Sequence, residues 1–198
     1  MSTAEDFRAA LDGIAADNED HALAVYAAYQ AGSIASDFTT VSIAARISQG
    51  NAAAVAVADS YVQQAIEELG APALTTGVLP EDDLERLTKA VDTILTEPSE
   101  DTPETRLTRL STAEPFATGQ RAAVDAMTRQ SLVEGWVRHF ESANPCQLCV
   151  WIWREGRVWP SNHPFQVMHP GDKCVPKVVL RTNIEPTRFT ERLARNGR

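Results

Sequence analysis

At 198 residues the chain is long enough for one ordinary domain or two small ones, and an apolar content of 43% excludes a wholly unfolded protein. Its net charge of −9 is unevenly placed: residues 1–130 carry 21 acidic and 8 basic side chains, residues 131–198 carry 6 and 10. An acidic N-terminal part repels nucleic acid, so only the C-terminal part tolerates a polyanion.

Alanine is frequent in the N-terminal part. It favours helix while burying little area per residue, which predicts closely packed helices. Phe7, Leu11 and Ile14 are at helical spacing. Asp17-Asn-Glu-Asp20 then interrupts the pattern, and Leu23, Tyr26, Ala27 and Ile34 resume it. Residues 52–69 give a cleaner stripe of Val55, Ala58, Val62, Ile66 and Leu69, with Gly70 placed to end the helix and Pro72 close behind. A third helix is predicted over 81–96. Leu84, Leu87, Val91, Ile94 and Leu95 share one face, and Glu81, Asp82 and Asp83 favour its positive end.

Glu97-Pro-Ser-Glu-Asp-Thr-Pro-Glu104 has the composition of a linker. The expected organisation is an acidic, Ala-rich helical region at 1–100, a linker at 101–114, and a Cys/His domain with a basic tail at 115–198. Residues 115–141 read as one long helix, with Phe116, Val124, Met127, Val133, Trp136 and Phe140 along it and Gly119 and Gly135 weakening it. Val150-Trp-Ile-Trp153 fits a short strand or a helical turn, and Val175–Thr182 fits a strand with Pro176 near its start. The tail from Thr187 is basic and is expected to fray unless a partner orders it. The predicted fold class is mainly α: an N-terminal helical region followed by a small α+β, metal-knuckle-like C-terminal domain.

No segment combines a basic start with an apolar core as a secretory leader does, and none approaches the roughly 18 apolar residues of a membrane span. A soluble protein made in a cytosol is expected. Disulfides are rare there, so cysteines are read first as thiols or metal ligands.

All three cysteines, Cys146, Cys149 and Cys174, lie in the C-terminal third, with His163 and His169 between the second and the last. A two-residue spacer lets two thiolates from one turn reach the same ion, and His169-x4-Cys174 offers a second pair. Cys146, Cys149, His169 and Cys174 form a candidate Cys3His zinc site, with His163 as reserve ligand. Pro145 and Gly171 suit the tight turns such a site needs.

Three other readings of the same residues stand beside this one. The cysteines are small core hydrophobes; Cys-x2-Cys is a redox dithiol; or Cys149 or Cys174 is a nucleophile with His163 or His169 as base. Trp136, Trp151, Trp153 and Trp159 are either the core of the small domain or an interface. Arg121, Arg129, Arg138, Arg154, Arg157, Lys173, Lys177 and Arg181 are either a solvated face or, if they converge, a phosphate-contacting surface.

The order of motifs is Gly135-Trp-Val-Arg-His-Phe140, Pro-Cys-x2-Cys, an apolar segment ending in Arg154-Glu-Gly-Arg-Val-Trp159, His169-Pro-x3-Cys, then a hydrophobic strand. Over about residues 115–183 this resembles the C-terminal domain of MuF-like minor head proteins of tailed bacteriophages, especially the short actinobacteriophage type. The usual closing Cys-x-Cys is here a single Cys174 followed by Val175-Pro176. The resemblance implies a low-copy virion protein, inside the head or at the portal vertex, that assists head assembly or genome packaging and ejection. It implies the portal or major capsid protein as partner, with packaged DNA a further candidate, and neither a membrane nor a small-molecule substrate. Some relatives are described as capsid maturation proteases, so the alternative expectation is such a protease or another thiol-dependent hydrolase, although no protease constellation is visible.

Overall fold

The computed structural model describes residues 3–140, 143–182 and 187–196, without the side chains of 190 and 194. Four helices come first: α1 (Thr3–Gln30), α2 (Ser36–Glu68), α3 (Leu84–Thr96) and α4 (Pro103–Arg129). They are followed by β1 (Val133–His139), α5 (Gln147–Trp153), β2 (Trp159–Pro160), β3 (Val175–Leu180) and α6 (Arg188–Asn196). The three strands form one antiparallel sheet in the order β2-β1-β3. The mainly α class with a small α+β C-terminal part is therefore observed. None of the described helices is long and apolar enough to cross a membrane.

Helix α1 runs straight through Asp17–Asp20. The acidic side chains of that segment face outward while Asn18 turns inward, fully buried between Ala15 and Ala22. Weak helix propensity at four positions yields here to the packing of a 28-residue helix. Helix α2 buries the expected stripe of Val55, Ala58, Val62 and Ile66. It ends as the glycine predicts: Gly70 is left-handed (φ +87°), its N–H donates to the Glu67 carbonyl, and Ala71 N–H reaches back to Ile66.

Helix α3 starts at Leu84 rather than at 81, because Asp83 takes the N-cap place. Its carboxylate accepts from Ser48 Oγ and Asn51 Nδ2, both at 2.6 Å, which ties the start of α3 to α2. Between α2 and α3 the chain has no regular secondary structure. Asp59 holds it by accepting from Thr76 N–H (2.8 Å), Thr76 Oγ1 (2.9 Å) and Gly77 N–H (2.8 Å).

Burial pushes the Asp59 carboxyl up, but those donors outweigh it and hold the group below the ordinary carboxylate range. A depressed folded value stabilises the protein above the unfolded pKa of roughly 3.9, and the contribution is lost as pH falls through the folded value. Asp59→Asn should cost about 1–3 kcal/mol at neutral pH. Its penalty in urea unfolding should shrink below pH 4; a penalty constant down to pH 2 would contradict the assignment.

Residues 103–114, expected as part of a linker, are helical. Thr102 caps α4 by accepting from Thr105 N–H at 3.3 Å, and Pro103 occupies the first turn, where its missing N–H costs nothing. The true connection is the short segment 97–102. The single long helix expected over 115–141 is also corrected: α4 stops at Arg129, and 133–139 is the central strand.

The reason lies in a register shift between Val133 and Gly135. The irregularity separates the inward residues Val133 and Trp136 by three positions, so a strand mimics helical spacing. Gly135 is required there. A Cβ on it would lie 1.8 Å from the Trp159 carbonyl oxygen and within 3.1 Å of the Pro160 backbone. Gly135→Ala should therefore detach β2 from β1 and cost about 3 kcal/mol; a wild-type urea midpoint would refute this reading of the strand pair.

One apolar core runs from α1, α2 and α4 into the sheet. It includes Phe7, Leu11, Val62, Ile66, Phe116 and Met127 together with Trp136, Cys149, Cys174 and Val178. A second core at the far end of the bundle joins Tyr26, Ile43, Ile47, Leu87, Val91 and Leu107. Tyr61 of α2 reinforces the first by donating its hydroxyl to the Pro176 carbonyl on edge strand β3 at 2.7 Å.

The tail also departs from expectation. Residues 188–196 form α6, which docks on the turn after α5: Phe189 N–H donates to the Glu155 carbonyl at 3.1 Å, and Arg192 pairs with the Glu155 carboxylate at 2.9 Å.

Candidate metal centre

The segment 150–153 is the helical turn, not the strand, of the two readings. Cys146 is the N-cap of α5, with extended backbone (φ −63°, ψ 154°) and a sulfur that accepts the Cys149 N–H at 3.3 Å. The two-residue spacer thus places both sulfurs at one helix start, Cys146 exposed and Cys149 buried. After α5 the chain turns through three successive left-handed residues, Arg154, Glu155 and Gly156. A long irregular segment then returns toward Cys149, turns at Gly171 (φ +79°), and enters β3 just after Cys174.

Two groups of potential ligands result, and within each the donor atoms all lie within 4.8 Å of one another. One is Cys146, Cys149 and His169; the other is Cys149, Asp172 and Cys174. Cys149 belongs to both. The Cys149 and Cys174 sulfurs are 3.7 Å apart, close to the edge of about 3.8 Å that a tetrahedron with 2.3 Å metal–sulfur bonds requires. His169 Nδ1 is 3.1 Å from the Pro170 carbonyl oxygen. A carbonyl only accepts, so Nδ1 carries the proton and Nε2 keeps its lone pair for a ligand.

The four predicted ligands do not form one such group: Cys174 joins Cys149 and Asp172, while Cys146 and His169 join Cys149 without it. Three thiols and one imidazole are the donor types that a soft or borderline tetrahedral cation takes. His163, the reserve ligand, is elsewhere. Its ring stacks on Trp159 at 4.5 Å and on Trp136 at 6.2 Å, and its carbonyl accepts from Trp136 Nε1.

No family model, curated protein or solved structure matches this chain.

Sequence spacing missed what holds the ligand loop. Asp172 Oδ2 accepts from Arg138 Nη1 (2.9 Å) and from Met168 N–H (3.0 Å), while Oδ1 accepts from Cys174 N–H (3.1 Å) and faces the Cys149 thiol (3.7 Å). Both side chains of the Arg138–Asp172 pair are buried, at 0% and 1% exposure. Arg138 also reaches the Cys149 sulfur at 3.5 Å, donates to the Gln166 carbonyl and lies over the Phe165 ring. From α4, buried Gln120 donates to the Asp172 and Cys174 carbonyls at 2.8 and 2.7 Å. Arg138 is therefore not part of the solvated face of cations that its charge alone suggests. Its position two residues after Trp136 on one strand face is the signal that would have placed it inside, had 133–139 been read as a strand.

The electrostatics divide the thiols. Cys146 is held below the ordinary thiol value by the Cys149 N–H, with the Cys149 and His169 side chains adding to the effect. Burial pushes Cys149 far up. His169 is raised, first by the Pro170 carbonyl and then, against its partial burial, by Cys146 and Asp172. Burial raises the Asp172 carboxyl, but the Met168 N–H and the Arg138 guanidinium outweigh it and keep the group ionised.

Four of the remaining cations are used locally. Lys173 pairs with Asp12 (2.7 Å), Arg181 with Glu134 (3.6 Å), Arg157 lies over Trp159, and Arg129 reaches the Thr76 and Gly77 carbonyls. The tryptophans divide too: Trp136 and Trp159 are core, Trp153 packs on Phe140, and Trp151 is 61% exposed.

Proposed function

We propose that this chain is a structural minor head protein of the MuF-like phage type, in which zinc held by Cys146, Cys149, His169 and Cys174 pins the C-terminal sheet to the helices. The observation that carries the metal reading is the shared position of Cys149. It is buried in the common core, belongs to both ligand groups and lies beside a buried ion pair, so an ion there would sit at a joint of the fold rather than in an open cleft. A structural zinc contributes folding free energy directly, because the unfolded chain has no preformed site. The head assignment rests on the motif order over residues 115–183. Its partners would be the portal or the major capsid protein, with packaged DNA a weaker candidate because the cations do not gather into one cradle.

The test is compositional. Density-purified virions from a lysate that expresses the chain should contain it at low copy, together with about one zinc per chain. A protein that stays in the soluble fraction while heads sediment without it ends the head assignment; a purified chain that holds no zinc ends the metal reading.

One observation favours a second reading. Cys146 is exposed, its thiol is depressed, and His169 lies within reach of its sulfur, as a thiol hydrolase would need. A maturation protease would then lose cleavage of the capsid protein in Cys146→Ser while keeping its fold. The structural reading expects no cleavage by either form.

A further inference from the structure

Two surfaces at opposite ends of the molecule are each partly apolar and carry opposite charge. The first lies where the start of α2 meets α3. An open groove of about 760 Å³ is lined by Val41 and Leu84 and by the carboxylate-bearing Asp37, Asp82, Glu85 and Asp92. Val41 is 53% and Leu84 40% exposed, and Phe38 beside them is 60% exposed. None of these four carboxylates is in an ion pair among the described residues. Lys89 is the one cation lining the groove.

The second surface is α5. Its seven residues are almost wholly apolar, yet Cys149 is its single buried residue. Leu148 (40% exposed) and Trp151 (61%) are three positions apart and so share a face, an arrangement that leaves a large aromatic mostly uncovered among the described residues. Arg154 ends α5, and α6, which docks on the turn after it through Phe189 and Arg192, carries Arg188 and Arg195; Arg154, Arg188 and Arg195 are all exposed. None of them is in an ion pair among the described residues.

One chain cannot satisfy both surfaces by itself. The groove belongs to the core at the α1 C-terminal end, and α5 belongs to the core at the α1 N-terminal end. With 28 residues in α1, the two ends are about 40 Å apart. We propose that the protein self-associates head to tail, the apolar face of α5 of one copy entering the acidic α2/α3 groove of the next, with its arginines over the carboxylates. The two patches differ, so the contact is heterologous. It closes into a ring when the rotation per subunit allows and otherwise extends as a filament. This inference needs neither the zinc nor the head assignment.

The test uses the full chain and two surface variants, Trp151→Glu and Val41→Arg, whose native side chains are more than half exposed. Sedimentation velocity at low salt should show wild type associating as its concentration rises to roughly 100 μM. Raising the salt to about 0.5 M should weaken the association by at least tenfold, because the charged contacts are screened. Each variant alone should be monomeric. Mixed one to one, they should form a dimer and stop there: Trp151→Glu still offers a groove, Val41→Arg still offers an α5 face, and neither can extend the chain. A monomeric wild type would overturn the proposal, as would a variant mixture that fails to pair. Association lost in Trp151→Glu but retained in Val41→Arg would overturn it too, since that pattern belongs to a symmetric α5–α5 dimer. Circular dichroism of both variants should match wild type, so loss of association reports the surfaces.

Discussion

Arg138→Met is expected to lower the unfolding free energy by about 3–5 kcal/mol, a large part of the stability of a domain this size. The pair it breaks is wholly out of water: Arg138 Nη1 is 2.9 Å from Asp172 Oδ2, with both side chains essentially unexposed. Methionine fills much of the arginine stem but leaves a buried carboxylate without its cation and the Gln166 carbonyl without its donor. A double variant, Arg138→Met with Asp172→Leu, should cost clearly less than the sum of the two single changes, because the stranded charge is then gone. Urea unfolding followed by tryptophan emission reads this directly, since Trp136 is buried on the same strand. A wild-type midpoint for Arg138→Met would mean that the pair is not closed in solution. The same change should also weaken metal binding about 10- to 100-fold, because Asp172 positions the loop that carries His169 and Cys174.

Zinc added to chelator-treated protein is expected to raise the melting temperature by roughly 10 °C at a free concentration of about a thousand times Kd. This follows from about 4 kcal/mol of linkage and the 2–4 °C per kcal/mol usual for a chain of this length. The zinc-induced shift, rather than the melting temperature itself, is the quantity to compare among variants, since a buried cysteine also packs. Cys149→Ser should abolish the shift, because that sulfur is common to both ligand groups. Cys146→Ser should keep a smaller one, with Cys149, His169 and Cys174 still present.

The shift should also decline as pH falls from the neutral range. His169 holds its proton more tightly than an ordinary imidazole, and a bound proton excludes the metal. Wild type without a zinc-induced shift, or Cys149→Ser that retains it, would count decisively against a metal at this position.

The sequence spoke most clearly where a local rule carried a physical cause. Gly70 ended α2 because only a residue without Cβ takes a left-handed conformation cheaply, and the backbone hydrogen bonds that accompany such an end are present. Cys-x2-Cys brought two sulfurs to one turn because the spacing matches a helix cap and its third residue. Local pattern misleads where an irregularity in one element imitates the period of another, as in 133–139, or where a helix start has the composition of a linker, as at Thr102-Pro103.

What the chain's own order of residues determined is the helical character of its first hundred positions, the turn chemistry at its glycines and the identity of the ligand candidates. Each of these depends on neighbours within a few residues. Tertiary structure alone decided that Arg138 lies inside, that Asp172 and Gln120 hold the ligand loop, that His163 stacks on tryptophans, and that helices and sheet share one core. Those outcomes depend on desolvation and on partners as far as 54 positions away. A buried cation is tolerable only once its carboxylate is beside it, and no local pattern records that meeting.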